Sequence, residues 1–303
     1  MQPLLVRRLP SDAHRSFEDL LDRFLQEAEN LSIGAACLGI AGPVTGDLVQ
    51  ATNLPWTIRR EELQRRLQTP RVALVNDMEA TFHGLDHLDP EALATLQSGS
   101  PVPGATQALI AAGTGLGEAL RIFFDGRFRV IPTEGGHADF APRTEQEFAL
   151  LQFVRHRRNL QWVSVEQIVS GRGFHLIHEF LDASVTHPGF EDPARDAAAE
   201  ITGNALAKTC PVCVAAVDLW LTLYGAEAGN LALRTLALGG LYVAGGIAPK
   251  IWPLLQQGRF LQAFQEKGEL GDLLQRIPVH VVRDEEVPLK GAAAVAAALL
   301  SAR

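Results

Sequence analysis

Apolar residues recur at steps of three and four between Ser16 and Leu31, at Phe17, Leu20, Leu21, Phe24, Leu25 and Ala28. That spacing predicts an amphipathic helix. The period then changes. Ile33 to Ile40 is a short apolar run ending in Ala41-Gly42-Pro43 and Thr45-Gly46-Asp47, which predicts a buried strand and a hairpin returning through Leu48 to Thr52. Arg59 to Leu67 alternates charge on a helical spacing, and Val72 to Val75 is a four-residue apolar strand that delivers Asn76 and Asp77 at its carboxyl end. In open α/β sheets ligands bind beyond the carboxyl ends of strands, so Asp77 is a functional candidate. An N-cap or turn role is the competing structural reading of the same residue.

A stretch rich in Pro, Gly and Ser from Ser98 to Gly104 precedes the strand Gln107 to Ala112, which runs into Gly113-Thr114-Gly115-Leu116-Gly117. We place a domain boundary here: a small α/β domain over 1–106, rejoined by 289–303, and a large α/β domain over 107–288. Asp125-Gly126 suits a tight hairpin turn. Glu134-Gly135-Gly136-His137-Ala138-Asp139-Phe140 follows, unusually polar between apolar flanks. The remainder reads as mostly helical, including a buried helix from Asn204 to Leu223, with breaks at Ser170-Gly171-Arg172-Gly173 and in a polar loop from His187 to Pro193. Leu238 to Val243 feeds Ala244-Gly245-Gly246-Ile247, a second strand-to-glycine junction, and Val279 to Val282 is a last strand before an alanine-rich helix.

Composition narrows the function classes. The 303 residues are 47% hydrophobic and 20% charged, a balance that favours a packed core over disorder. A net charge of −8, from 35 acidic and 27 basic side chains with no long basic block, argues against a nucleic-acid partner. The apolar run Ala292 to Leu300 is too short for a membrane span, and residues 1–17 carry no secretory pattern, so a cytoplasmic protein without a membrane partner is expected. Three cysteines fit a reducing compartment. Cys210 and Cys213 form a Cys-x-x-Cys pair, but no second Cys/His pair lies close in sequence, so we expect core thiols and no metal ligands.

Two glycine-rich turns after apolar strands, each leading toward a stretch able to start or support a helix, would point backbone N–H groups at an anion such as phosphate. Neither matches the dinucleotide or Walker patterns, which argues against a dehydrogenase or a P-loop enzyme. A kinase acting on a small alcohol needs a carboxylate base, donors for phosphates and Mg²⁺, and polar groups around the acceptor. Asp77, the glycine turns and the Glu134/His137 segment could supply these. The bland alternatives are a histidine satisfying a backbone carbonyl at His137 and an ordinary helix-start residue at Glu166.

In order along the chain, Ile40-Ala41-Gly42-Pro43-Val44-Thr45-Gly46, Thr52-Asn53-Leu54-Pro55-Trp56, Val75-Asn76-Asp77, Ala112 to Gly117, Glu134 to Pro142, Val165-Glu166 with Ser170-Gly171, and Ala244-Gly245-Gly246-Ile247 resemble the bacterial glucokinase family. The resemblance implies an actin-like ATPase (ribonuclease H-like) fold, two α/β domains around a cleft, and ATP-dependent phosphorylation of glucose or a related hexose at its 6-hydroxyl. It implies that Asp77 is the general base and that Asn76, Glu134, His137 and Glu166 bond sugar hydroxyls. Thr114 with Gly113, Gly115 and Gly117 would meet the ATP phosphates, and Gly245 and Gly246 the nucleotide, with Mg²⁺ as cofactor and a homodimer as the family expectation. The related family sharing the Glu-Gly-Gly-His segment carries a cysteine-rich zinc motif shortly after it. No cysteine occurs here between Cys37 and Cys210, so the resemblance gives no reason to expect zinc.

One departure lies at the N-terminus. Family members open with a strand, an Asp-x-Gly-Gly-Thr-Asn phosphate turn and a second strand, which these 303 residues do not contain. The expectation is a truncated small domain with unpaired strand edges and impaired ATP turnover. A start site placed too far downstream and a decayed or repurposed sugar-binding relative are the two explanations.

Overall fold

The computed structural model describes residues 3–28, 31–52, 54–190 and 196–301. Residues 29–30, Asn53 and residues 191–193 of the segments quoted above lie outside them. The chain divides into two compact units, 1–87 with 286–303, and 88–285.

In the first unit, Ser16 accepts a hydrogen bond from the Asp19 N–H and caps α1 (Phe17–Glu27), as the three-and-four spacing predicts. β1 (Ala36–Ile40) is followed by β2 (Val44–Thr45), β3 (Leu48–Gln50), β4 (Thr57–Arg59), α2 (Arg60–Leu67), β5 (Val72–Asn76) and α3 (Asp77–Leu85). β1 and β5 pair in parallel from Ala36↔Val72 to Ile40↔Asn76. β2, β3 and β4 form a separate antiparallel sheet, as Gly46-Asp47 between β2 and β3 foretells. Val49, Ile58, Leu63 and Leu74 make a small core beneath these strands. The C-terminal helix (Val287–Ser301) packs on α3 through glycines: a Cβ on Gly291 would stand 1.8 Å from the Ala80 carbonyl oxygen. Only a bare backbone permits that crossing.

The second unit holds a six-stranded mixed sheet. Its strands are β6 (Leu93–Gln97), β7 (Gln107–Ala112), β8 (Leu116–Phe124), β9 (Arg127–Thr133), β10 (Gly240–Ala244) and β11 (Val279–Val282), in the order β6-β11-β10-β7-β8-β9. β7, β10 and β11 are parallel neighbours. β8 and β9 form the expected hairpin, with Asp125 and Gly126 both at positive φ (54° and 75°). Because β6 pairs antiparallel with β11, residues 88–106 belong with the large unit, and the division falls at His87/Leu88 rather than at 106/107.

Helices α4 (Glu145–Arg158), α5 (Val165–Ile168), α6 (Gly171–Asp182), α7 (Ala197–Ala207), α8 (Pro211–Thr235), α9 (Trp252–Leu255), α10 (Arg259–Gln265) and α11 (Gly271–Arg276) complete the unit. The helix expected from Asn204 to Leu223 is two. Lys208 takes a left-handed conformation (φ 55°), and Pro211 begins α8 with Cys210 as its N-cap, a position where proline's missing N–H costs nothing. Among the described residues α8 alone is long and apolar enough to cross a bilayer, yet 72% of its most apolar stretch is buried inside the unit. Its Trp220 and Tyr224 side chains are fully buried, and Trp220 stacks on Phe174 of α6 with ring centroids 4.3 Å apart. α8 is the core helix around which the large unit is built.

Candidate active site

In the first unit the candidate residues sit where β5 becomes α3. Asn76 is the N-cap of α3: its Oδ1 accepts from the Met78 N–H at 2.8 Å, and its Nδ2 donates to the Gly42 carbonyl at 3.1 Å. The capping role weighed for Asp77 therefore belongs to its neighbour. Asn76, expected on a sugar hydroxyl, spends one amide hydrogen and one acceptor lone pair on tying the Ala41-Gly42-Pro43 turn to the helix start. One N–H remains for a ligand. Asp77 occupies the first position of α3, and its carboxylate meets the Met78 N–H at 3.0 Å. Burial raises its affinity for the proton above the ordinary carboxylate value, against the pull of the Met78 and Asp77 amides.

In the second unit, the sugar-side candidates converge. Glu134, His137 and Glu166 come from the β9 exit, the 3-10 turn Gly135–His137 and the start of α5. His137 Nδ1 lies 3.6 Å from Glu134 Oε2, and His137 Nε2 lies 4.0 Å from Glu166 Oε1. The side chains of Glu134 and His137 are more than half exposed. Gly135 and Gly136 are dictated by packing: a Cβ on Gly136 would stand 2.0 Å from the Leu116 carbonyl oxygen.

Glu166 also reaches the first glycine turn. Its Oε2 accepts from the Leu116 N–H at 3.0 Å, and a Cβ on Gly115 would sit 2.4 Å from that same oxygen. The turn leads into β8 and not into a helix, so the expectation of a helix after it is corrected; the helix beside it is α6, whose Gly171 N–H donates to the Gly113 carbonyl at 2.8 Å. Gly117 pairs with Ala111 within the β7–β8 ladder, so the structure gives it a sheet role.

The second glycine turn follows β10, the parallel neighbour of β7, which brings the two turns side by side. Gly245 has φ 86°, and a Cβ there would lie 2.3 Å from the Ala112 carbonyl oxygen; this position requires glycine on both counts. The Ile247 N–H donates to that same carbonyl. Beside the turns opens a cavity of about 550 Å³ whose lining includes Gly113, Thr114, Gly171, Gly246, Arg172 and Lys250. Arg172 and Lys250 are two exposed cations that the sequence reading passed over, although Arg172 stood inside a quoted motif. The start of α7 lines the cavity as well, but its amides are already met: Asp196 Oδ1 accepts from the N–H groups of Ala198 and Ala199.

The Glucokinase family model matches residues 2–299. The glucokinase of Nostoc sp. (strain PCC 7120) is 42% identical over 87% of this chain and 82% of its own length. Among solved structures, the glucokinase of an Antarctic psychrotroph superposes with a TM-score of 0.79 at 29% identity, over 96% of this chain and 88% of that one. Balamuthia mandrillaris glucokinase in complex with glucose has the same fold, with a TM-score of 0.79 at 23% identity over 93% and 82%. These likenesses establish the actin-like fold of the kinase superfamily, and on the family match over almost its entire length the chain belongs to the glucokinase family.

Proposed function

We propose that this protein transfers the γ-phosphoryl group of ATP to the 6-hydroxyl of glucose. The observation that carries the reading is Glu166, which braces the Gly113–Gly117 turn through the Leu116 N–H while its other oxygen faces His137. One side chain thereby couples a cluster of exposed hydroxyl-binding groups to a glycine turn beside a cationic cavity. Membership of the glucokinase family supports the same assignment, and the Balamuthia relative's bound glucose supports the substrate class.

In this reading Glu134, His137, Glu166 and the free N–H of Asn76 hold the sugar hydroxyls. Asp77 takes the 6-hydroxyl proton as the oxygen attacks the γ-phosphorus, and ADP leaves. A carboxylate at a strand end, with its proton affinity raised by burial, suits a base,. The cavity takes the nucleotide: Gly113, Thr114 and Gly246 allow close approach, and Arg172 and Lys250 offset phosphate charge. Mg²⁺ would enter on the nucleotide, because Asp196 is committed to its cap and Thr202 donates to the Ala198 carbonyl. Such a site suits an ion that keeps phosphate oxygens and water as most of its ligands. When bound it neutralises charge on the phosphates. A cytoplasmic location and a homodimer belong to the same proposal.

The test is ATP-dependent formation of glucose 6-phosphate by the 303-residue chain, run beside calorimetric glucose binding. Turnover that Asp77→Asn lowers by about 10²- to 10⁴-fold while glucose still binds would support the kinase reading. Glucose binding with no turnover by the unmodified chain would replace it with a sugar-binding relative.

A further inference from the structure

The Cys-x-x-Cys pair that lacked partners in the sequence finds them in the fold. His178, on α6, and His187, in the loop that follows, are brought against Cys210 and Cys213 at the start of α8, with one ligand atom from each residue within 4.8 Å of all the others. His187 Nε2 stands 3.2 Å from Cys213 Sγ, and the Cys213 N–H points at Cys210 Sγ at 3.4 Å. A tetrahedron with metal–ligand bonds of about 2.0–2.3 Å has edges of about 3.3–3.8 Å, so a small contraction closes the set on an ion.

A plain reading would make this a buried thiol hydrogen-bonded to a histidine. That accounts for Cys213 and His187 but not for His178, which is 1% exposed and whose Nε2 has no hydrogen-bond partner. An orphaned ring nitrogen in a core is costly, and it occurs beside two thiols and a second imidazole. The Phe190 ring packs on His175, His178 and His187 with centroids 4.4, 4.9 and 5.2 Å away, which walls the cluster with an apolar face. A redox dithiol is a poor alternative, since Cys210 and Cys213 are 7% and 0% exposed and an exchange partner needs access.

We propose that His178, His187, Cys210 and Cys213 bind one structural Zn²⁺ in the large unit. Two thiols lose their protons to solvent on binding, so Zn²⁺ with two thiolates and two neutral imidazoles carries no net charge, as a buried site requires. Thiolate with imidazole in a tetrahedral set selects zinc over magnesium or calcium. Four protein ligands leave no open position, which makes the role structural. The ion ties the end of α6 and its following loop to the start of α8. Gly171 at the start of α6, about 10 Å along the helix from His178, lines the cavity described above. The zinc would hold that helix from behind.

The test is metal analysis by mass spectrometry of the untagged, full-length chain, expected to give about one zinc per chain. Cys210→Ser and His187→Ala should lower the zinc content sharply, while Cys37→Ser, outside the cluster, should keep it. Because a cluster variant that failed to fold would also lose zinc, the unmodified chain is stripped under reducing conditions and titrated with Co²⁺. Visible ligand-field bands of a tetrahedral thiolate site, displaced by one equivalent of Zn²⁺, support the proposal. Metal content at background together with no visible cobalt bands overturns it, as does zinc that Cys37→Ser removes and Cys210→Ser leaves in place.

Discussion

Glu166 on α5 accepts the Leu116 N–H at 3.0 Å, so a residue expected to hold sugar also fixes the turn expected to hold phosphate. The two functions of that carboxylate can be separated by substitution. Glu166→Gln keeps an acceptor for the Leu116 N–H and loses the charge; Glu166→Ala loses both. Removing the acceptor leaves the amide unmet at a cost of about 1–3 kcal/mol, roughly 5- to 150-fold in an equilibrium. We expect Glu166→Ala to raise KM for both glucose and ATP, and Glu166→Gln to raise that for glucose while changing that for ATP little. Equal ATP effects in the two variants would show that the bond to the turn does not matter. Steady-state kinetics with each substrate varied in turn reads the difference.

Asp77 carries a pH prediction. Burial raises its proton affinity in the folded protein, and a base works only when ionised. The rate should therefore fall as pH drops, with an inflection above the ordinary carboxylate value. Asp77→Asn should lower kcat by about 10²- to 10⁴-fold and remove that acid limb. Glucose affinity measured by calorimetry should change far less. A variant whose residual rate kept the same acid limb would assign the titration to another group.

The glycine turn after β10 gives a contrast between neighbours. Gly245→Ala places a methyl 2.3 Å from the Ala112 carbonyl oxygen at φ 86°, whereas a Cβ on Gly246 meets nothing within 4 Å and carries no positive φ. Gly245→Ala should destabilise by about 1–3 kcal/mol or more, since strain and overlap act together. Gly246→Ala should melt near the unmodified protein yet bind ATP less well, because it lines the cavity. Thermal melting and nucleotide titration of the pair check both halves.

These contrasts also show what could be read from the sequence. Asn76-Asp77 at the end of an apolar strand and the glycines after Ala112 and Ala244 were legible, because strand period and turn chemistry are local signals. The strand β6 was not, since Leu93–Gln97 has a mixed burial pattern and gains its pairing only from β11, far along the chain. The end of α7 was hidden because left-handed Lys208 is neither Gly nor Asn, the residues that usually mark that conformation,. The bond from Glu166 to Leu116 spans 50 residues, and the convergence of His178 and His187 on Cys210 and Cys213 depends on helix packing. No spacing rule encodes either.

The last prediction concerns stability. Glu118 on β8 is 1% exposed, and its Oε1 has no partner. Burial, reinforced by repulsion from Glu227, pushes its carboxyl up to about 8 against an ordinary value of 4.5, with Arg234 pulling the other way. The folded state therefore holds a proton that the unfolded chain has released throughout that window. By linkage this contribution to stability is fully present below about 4.5 and is lost as pH rises toward and through about 8,. Lys267 nearby, pulled down to about 8 by burial, titrates with the opposite sign but above that window. Its unfolded value of 10.5 places the gain in stability between about 8 and 10.5. Glu118→Gln keeps the shape, has no proton to lose, and should melt at a temperature that declines less between pH 6 and 8 than the unmodified chain's. Differential scanning calorimetry across that range measures both slopes, and parallel slopes would show that Glu118 is already ionised in the fold.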